Sequence, residues 1–410
     1  MKKNILVIFG GKSCEHDISV ITAVQAMRSM NGEKYGVFPF YIDGVNGKSY
    51  TGAALKKIGT YRNFNSKRSA LKTAELTRGG IILIRIGFLK KRVKIKIDAA
   101  LICCHGGIGE NGGVQGLLEF YDIPYTSPGI AASAVFMDKT LTKSFLIGGE
   151  LPALPYFAIA DTEIDAIRLG GADAVINTDT DKSEDTDKKT SAEAGEGADL
   201  KYPLIAKPAS LGSSIGISVA RTLDELKTAC VTAAEFDSKI IVEKALEDFC
   251  EINCAAVRDG ENIIVSECEK PVSWSEYLTF DEKYRPCPNS GGAKNRGGTK
   301  NPKREYPAVI PANLRDAVRG LTRLIYSRSD MKGSVRIDFL IDKRDGRVYV
   351  NEVNTVPGSL AHYLFAENGI TLSDLIDIMI NTCLKEKMKT DAKKYIYKSD
   401  VLDCFSAADF

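Results

Sequence analysis

Apolar and polar positions alternate in blocks along this chain. The first block, "NILVIF", is a short continuous apolar run, the pattern of a strand covered on both faces. "DISVITAVQAMRSM" then repeats its apolar residues at helical spacing, and "YGVFPFYI" reads as a second strand. "GIILIRIG" and "KRVKIKI" predict a hairpin carrying several lysines, and "AALICC" predicts a further buried strand ending at His105-Gly106-Gly107. Strand, glycine-rich turn and helix in succession predict a doubly wound α/β sheet over residues 1–127.

The pattern changes near residue 127. "YTSPGIAASAVFMDKTLTKSFLIGG" predicts a turn and a helix. Residues 177–199, "NTDTDKSEDTDKKTSAEAGEGAD", are polar and acidic and hold too little apolar surface to offset their ordering entropy; they read as a disordered insertion. "YPLIAKP" and "GISVA" are strands flanking the small-residue loop "ASLGSSI", and "TLDELKTACVTAAEF" is a helix with Thr222 as N-cap and Glu225 at the capping-box position. "KIIVEKAL" is a strand leading into a connector, which closes a central unit at 128–246.

A third unit, 247–390, opens with the strand "CEINCAAV". It contains the long Gly/Asn/Lys/Pro-rich stretch "RPCPNSGGAKNRGGTKNPKREYP", a helix "IPANLRDAVRGLTRLIYSRS", a hairpin and the helix "TLSDLIDIMINTCLKEKM", which should pack the last domain. A loop of that length is uncommon and usually functional or disordered, and residues 275–300 are a candidate lid. The tail 391–410 has no assignment, and no internal repeat is present.

Composition narrows the class only a little. With 410 residues, 44% hydrophobic, 26% charged and a net charge of +2, the chain reads as a soluble globular protein of two or three domains. That balance gives no electrostatic case for nucleic acid or an anionic membrane. No apolar run approaches the roughly 20 residues that span a bilayer, and the start lacks the form of a signal peptide; a cytoplasmic protein is expected. The ten cysteines are scattered without a CxxC pair, which fits core filling better than a disulfide framework or a zinc site.

The chemistry concentrates in the hairpin "RIDFLIDKRDGRVYVNEVNTVPG". Period-two alternation puts Arg336 and Asp338 on one face of one strand, and Glu352 and Asn354 on one face of the other. Two carboxylates and an amide offer oxygen donors of the kind Mg²⁺ takes, together with substrate phosphates. An arginine beside them suits phosphoryl transfer. A surface strand pair laced with salt bridges would show the same alternation. "KPASLGSSIGI" adds a lysine, Lys207, at a strand end before a loop whose backbone N–H groups can wrap phosphates; it is not a Walker A loop, because the lysine precedes the glycines.

Five blocks in order carry a resemblance. "GGKSCEHDIS", "HGGIGENGGVQGLLEFYDIPYTSPGIAASAVFMDK", "KPASLGSSIGI", "FDEKY" and "RIDF…NEVNTVPG" resemble the motifs of the D-alanine–D-alanine ligase family, within the ATP-grasp superfamily. The resemblance covers nearly the whole chain outside the insertion and the tail. It implies a three-domain α/β ATP-grasp ligase: an N-terminal doubly wound parallel sheet, then two α+β domains with ATP bound between them. It implies ATP as co-substrate, two Mg²⁺ (or Mn²⁺) ions, D-alanine as substrate and a homodimer formed through the N-terminal domain.

Carried over by residue, Lys139, Lys207 and Ser214 would contact ATP phosphates; Glu243, Lys244 and Leu246 would hold adenine and Glu251 the ribose. Asp338, Glu352 and Asn354 would hold the metal ions. Glu15 would bind the first D-alanine's ammonium, with Ser213 and Tyr284 bonded to it. Lys283 would hold the second amino acid or help close the lid, and His105 and His16 would take a direct substrate-side or a second-shell role. Arg336 and the Gly358 N–H would stabilise the oxyanion of a tetrahedral intermediate. Two departures stand out: Asn111 replaces the more usual Asp, and Tyr363 takes the place of a serine that binds the second substrate's carboxylate. D-Lactate, D-serine or another amino acid as acceptor therefore stays open, while the tyrosine of "EKY" favours dipeptide formation. Trp274, the single tryptophan, is read as a packing residue at the lid edge.

Overall fold

The computed structural model describes residues 2–86, 91–168, 200–271, 304–397 and 399–404. The insertion 177–199, the lid 275–300, Trp274, Lys283 and Tyr284 lie outside the described residues.

Ile5–Phe9 form the centre of the strand Lys3–Gly10, and every side chain there is buried. The strand pairs in parallel with Tyr35–Ile42 on one side and Ala99–Ile102 on the other. Four further strands, Ser49–Thr51, Lys72–Thr77, Ile81–Ile86 and Lys91–Lys96, extend this sheet as an antiparallel meander, so its parallel part is three strands wide. Helix His16–Ser29 covers one face, and Val114 and Leu118 of helix Gly113–Phe120 pack on the other.

The middle sheet is antiparallel, in the order Ser218–Ala220, Leu204–Pro208, Lys239–Lys244, Tyr156–Ala160, and is packed by helices Asp161–Arg168 and Leu223–Ala233. The last sheet is also antiparallel, in the order Asn262–Val265, Phe249–Asp259, Ser334–Asp342, Val348–Asn354, with helix Ala312–Arg328 against it.

One helix differs from the sequence reading, and another packs more widely than expected. The stretch read as one helix after residue 129 is two, Ile130–Met137 and Lys139–Gly148. Asp138 breaks it: its backbone is extended (φ −90°, ψ 113°), and its carboxylate accepts the N–H groups of Thr140 and Leu141. That is N-capping, which starts a new helix. Both helices bury side chains, Phe136 and Leu146, in the core of the last sheet rather than in the middle one. The helix Leu372–Asp391, opened by a full capping box at Thr371 and Asp374, packs on the last sheet as expected, sharing a core with Ala255 and Val257, and reaches the N-terminal domain as well. Leu375, Ile376, Met379 and Ile380 share a core with Ile5, Val7 and Phe9 of the first sheet. The N-terminal and last units are thus joined by a common apolar core.

Candidate active site

The hairpin supplies the centre of the site. Arg336 pairs with Asn354 and Asp338 with Glu352, directly across the two strands. A β-bulge follows, since Phe339 already pairs with Val350 and Asn351 is the extra residue. The bulge resolves a phase conflict. Val350 and Val353 are an odd number of residues apart yet both are buried, while Asn351 and Glu352 both line the cleft. The hairpin turn closes with Gly346 at φ +74° and its N–H donating to the Asp342 carbonyl.

Within the hairpin, Arg336 grips Asp338 with two parallel bonds of 2.6 and 2.7 Å, and Asn354 Nδ2 donates to the same carboxylate at 3.1 Å. Asp338 is fully buried. Asp338, Glu352 and Asn354 form an all-oxygen donor set at one hairpin end, the chemistry that Mg²⁺ or Mn²⁺ takes in preference to softer metals. The residues therefore fit the ions that the resemblance implies.

Lysines face this hairpin across a cleft lined by Lys139, Lys207, Ser214, Lys244, Leu246 and Glu251, with Glu352 also on its wall. Leu154, Leu246 and Leu340 form a small apolar cluster on its wall. Lys139 opens the second of the two helices, so the Asp138 cap aims it; its Nζ donates to the Leu211 carbonyl at 2.7 Å. The loop after Lys207 takes left-handed backbone at Ser213, Ser214 and Gly216 (φ 59°, 57° and 72°). Two of these are not glycine, so the loop is strained in the way functional loops often are.

Beneath the cleft, the Glu243 carboxylate lies between Lys207 Nζ at 2.5 Å and Lys143 Nζ at 2.9 Å. Burial alone would raise Glu243, but the two ammonium groups dominate and hold it at about 2. Burial lowers Lys143, partly offset by Glu243. Lys207 also reaches Asn351 Oδ1 at 3.5 Å. Both Glu243 oxygens are engaged by lysines, so its side chain orients Lys207. Lys143 was not singled out in the sequence. The available signal was its place four residues after Lys139, on the same helix face.

A second, smaller hollow joins the first through Lys139, Leu211, Asn351 and Glu352, and is bordered by Glu15 and Glu110. Ser213 Oγ donates to Glu15, which brings a residue of the N-terminal glycine loop against the loop after Lys207. Gly106 takes φ +66° and ψ 166°, a backbone region open essentially only to glycine. Glu110, also missed in the sequence, accepts the Gly106 N–H at 2.8 Å and the Val356 N–H at 3.0 Å. Burial pushes its carboxyl up to about 8, aided by Glu15 and Glu352 and opposed by those two N–H groups.

The histidines have protein partners. His105 is buried, with Nδ1 2.5 Å from the Val356 carbonyl and Nε2 2.8 Å from Thr22 Oγ1. Both ring nitrogens are taken, which fits the second-shell form of the role expected of His105. His16 holds the Gly11 carbonyl at 2.8 Å and the Tyr41 hydroxyl at 3.0 Å, which fixes the first glycine loop. Asn111 uses its amide oxygen to accept the Gly113 N–H at 3.0 Å, a role an amide fills as well as a carboxylate does. Gly358 lies just after the hairpin and just before a left-handed run of backbone at Ser359–Ala361. Tyr363 lies under the Arg304 guanidinium, 4.0 Å from its ring centre, and burial raises its phenol above the usual range.

A lysine-lined cleft between two antiparallel sheets, closed by an oxygen-donor hairpin, is the arrangement of an ATP-grasp protein. Residues 4–128 match the family description "D-ala D-ala ligase N-terminus" and residues 174–381 match "D-ala D-ala ligase C-terminus". The chain is 34% identical over 399 residues to a D-alanine--D-alanine ligase of Thermosipho africanus, covering 97% of each, and 31% identical over 405 residues to one from Chloroherpeton thalassium, covering 96% of this chain and 99% of the relative. It belongs to the D-alanine–D-alanine ligase family. Solved structures show the same fold: the D-alanine-D-alanine ligase from Coxiella burnetii, at 20% identity and a TM-score of 0.72, covers 98% of this chain and 97% of its own. The VanG D-Ala:D-Ser ligase from Enterococcus faecalis, at 24% identity and a TM-score of 0.72, covers 93% of this chain and 100% of its own.

Proposed function

We propose that this chain joins two D-alanine molecules into D-alanyl-D-alanine with ATP, through an acyl phosphate, as a supplier of peptidoglycan precursor. One observation carries the reading: Glu15 of the first domain and Ser213 of the phosphate loop meet beside a cleft that ends on the Asp338–Glu352 pair.

In this reading Lys139, Lys207 and Ser214 take the ATP phosphates, while Lys244, Leu246, the Glu243 backbone and Glu251 hold the adenosine. Glu15, with Ser213 and Tyr284, holds the ammonium of the first D-alanine and aims its carboxylate at the γ-phosphate. Attack there gives the acyl phosphate and ADP. The amine of the second D-alanine then attacks the acyl carbon, and phosphate leaves with the C–O electron pair. Arg336 and the Gly358 N–H receive the negative charge that develops on the carbonyl oxygen. Two Mg²⁺ or Mn²⁺ ions held by Asp338, Glu352 and Asn354 would neutralise phosphate charge when bound. Lys283 and the lid exclude water, which would otherwise hydrolyse the acyl phosphate.

Tyr363 and the supporting His105 border the acceptor side. The Tyr363 ring, packed under Arg304, supports a closed acceptor pocket, and D-serine is the alternative acceptor to test first. A homodimer through the N-terminal domain is supported by Ile108, Leu117, Phe120 and Ile130, exposed apolar residues on neighbouring elements. Among the described residues no helix is long and apolar enough to cross a membrane, and a cytoplasmic location is part of the proposal. The test is product identification by mass spectrometry with ATP, Mg²⁺ and D-alanine, in competition with D-serine and D-lactate.

A further inference from the structure

Three consecutive residues just after Gly358 have left-handed backbone: Ser359 (φ 51°), Leu360 (φ 55°) and Ala361 (φ 49°). None is glycine. L-residues visit this region singly, and a run of three persists only where the surroundings over-determine it. The surroundings come largely from the N-terminal domain. Ser359 N–H donates to Thr22 Oγ1 at 2.9 Å and Ser359 Oγ donates to Gln25 Oε1 at 2.7 Å, both on helix His16–Ser29. Ser334 Oγ holds the Leu360 carbonyl at 2.7 Å.

Val356 is held the same way. Its N–H donates to Glu110 Oε1 at 3.0 Å, its carbonyl meets His105 Nδ1 at 2.5 Å, and its side chain sits in the core of the N-terminal sheet with Leu6 and Ile102. A carbonyl only accepts, so Nδ1 of His105 carries the proton. Nε2 must then accept from the Thr22 hydroxyl, and the Thr22 oxygen accepts from Ser359 N–H. Burial holds His105 neutral, down at about 4, which keeps this single pattern in place. The peptides on either side of the 357–358 link, those carrying the Val356 carbonyl and the Ser359 N–H, are not adjacent by chance to a shared partner. Both lead to Thr22.

We infer that Thr22, His105 and Glu110 form a clasp from the N-terminal domain that sets the backbone of residues 356–359, and that they are positioning residues for the amine-attack step. The Gly358 N–H lies between the two clamped peptides, so its direction depends on the clasp. The inference rests on the proposed oxyanion role of Arg336 and Gly358. It gives two side chains unassigned by the resemblance, Thr22 and Glu110, a place in the reaction.

The test separates the two half-reactions in the full-length enzyme with ATP, Mg²⁺ and D-alanine. Thr22→Val keeps the shape and removes the hydroxyl. The expected result is about a tenfold fall in the kcat for dipeptide, with more ADP formed per dipeptide. Positional isotope exchange in bridge-labelled ATP, which reports acyl-phosphate formation, stays within about twofold, as does the KM for ATP. Thr22→Ser restores coupling. Glu110→Gln, which can accept only one of the two N–H groups, gives the same split by a second route. Equal falls in exchange and dipeptide formation, or no change in either, overturn the clasp. Arg336→Lys is the control for the underlying reading. If it leaves the ratio of dipeptide to exchange unchanged, the oxyanion assignment fails. If it shifts the ratio and Thr22→Val does not, the clasp alone fails.

Discussion

Glu243→Gln tests the charge arrangement beneath the cleft. Glu243 is 1% exposed and lies between Lys143 and Lys207. Its carboxyl is held at about 2, against an ordinary 4.5. At 1.36 kcal/mol per pH unit that gap corresponds to roughly 3 kcal/mol of folding free energy. The sign follows from the direction: a depressed carboxyl contributes stability fully above about 4.5, and loses it as pH falls toward 2. The glutamine keeps the shape and removes the charge. It also leaves Lys143 buried without its counter-ion, which adds to the cost until that lysine sheds its proton. Because the chain has several domains, a local readout is the appropriate one. Hydrogen exchange of peptides covering Leu204–Pro208 and Lys239–Lys244 should be roughly 100-fold faster in the variant at pH 7.5, after correction for intrinsic rates, since 1.4 kcal/mol is a factor of ten. The difference should shrink between pH 4.5 and pH 3. Exchange within threefold of wild type at pH 7.5, or a difference that does not change with pH, would refute the reasoning.

Glu352→Gln should nearly abolish turnover while circular dichroism stays native; near-normal activity at limiting Mg²⁺ would remove Glu352 from the donor set. Deleting residues 178–198 should change neither thermal stability nor rate appreciably, because the stretch is acidic and short of core residues; a tenfold loss of rate would show that it matters. Tyr284→Phe should lower dipeptide synthesis by roughly 10- to 150-fold, the scale of one hydrogen bond near charged groups, and raise D-lactate ester relative to dipeptide; an unchanged ratio and rate would make Tyr284 a packing residue.

Much of the site was legible because its residues follow local rules. Period-two alternation alone put Arg336 and Asp338 on one face of their strand and Glu352 and Asn354 on one face of theirs, while the pairing of Asp338 with Glu352 also needs the bulge. The cap at Thr222 was readable too, although Glu225 turns its carboxylate to the Arg221 N–H rather than closing the box on Thr222. What escaped depends on distant packing. The bulge at Asn351 shows only once Val350 and Val353 are known to share a core. Lys143 looks like any polar helix residue until Glu243 arrives from another strand. Helix Leu372–Asp391 is expected on the last domain, but its apolar face says nothing of the N-terminal core it also joins. Thr22 is one more small residue on a buried helix face until Ser359 and His105 meet it.

The most direct measurement is the product itself. Purified protein with ATP, Mg²⁺ and an equimolar mixture of D-alanine, D-serine and D-lactate should release one ADP per coupled product. Mass spectrometry should show D-alanyl-D-alanine as the dominant species, absent without ATP or with Glu15→Gln. Dominant D-alanyl-D-serine or D-alanyl-D-lactate would contradict the assigned acceptor, and ATP consumption without any coupled product would contradict the ligase reading as a whole.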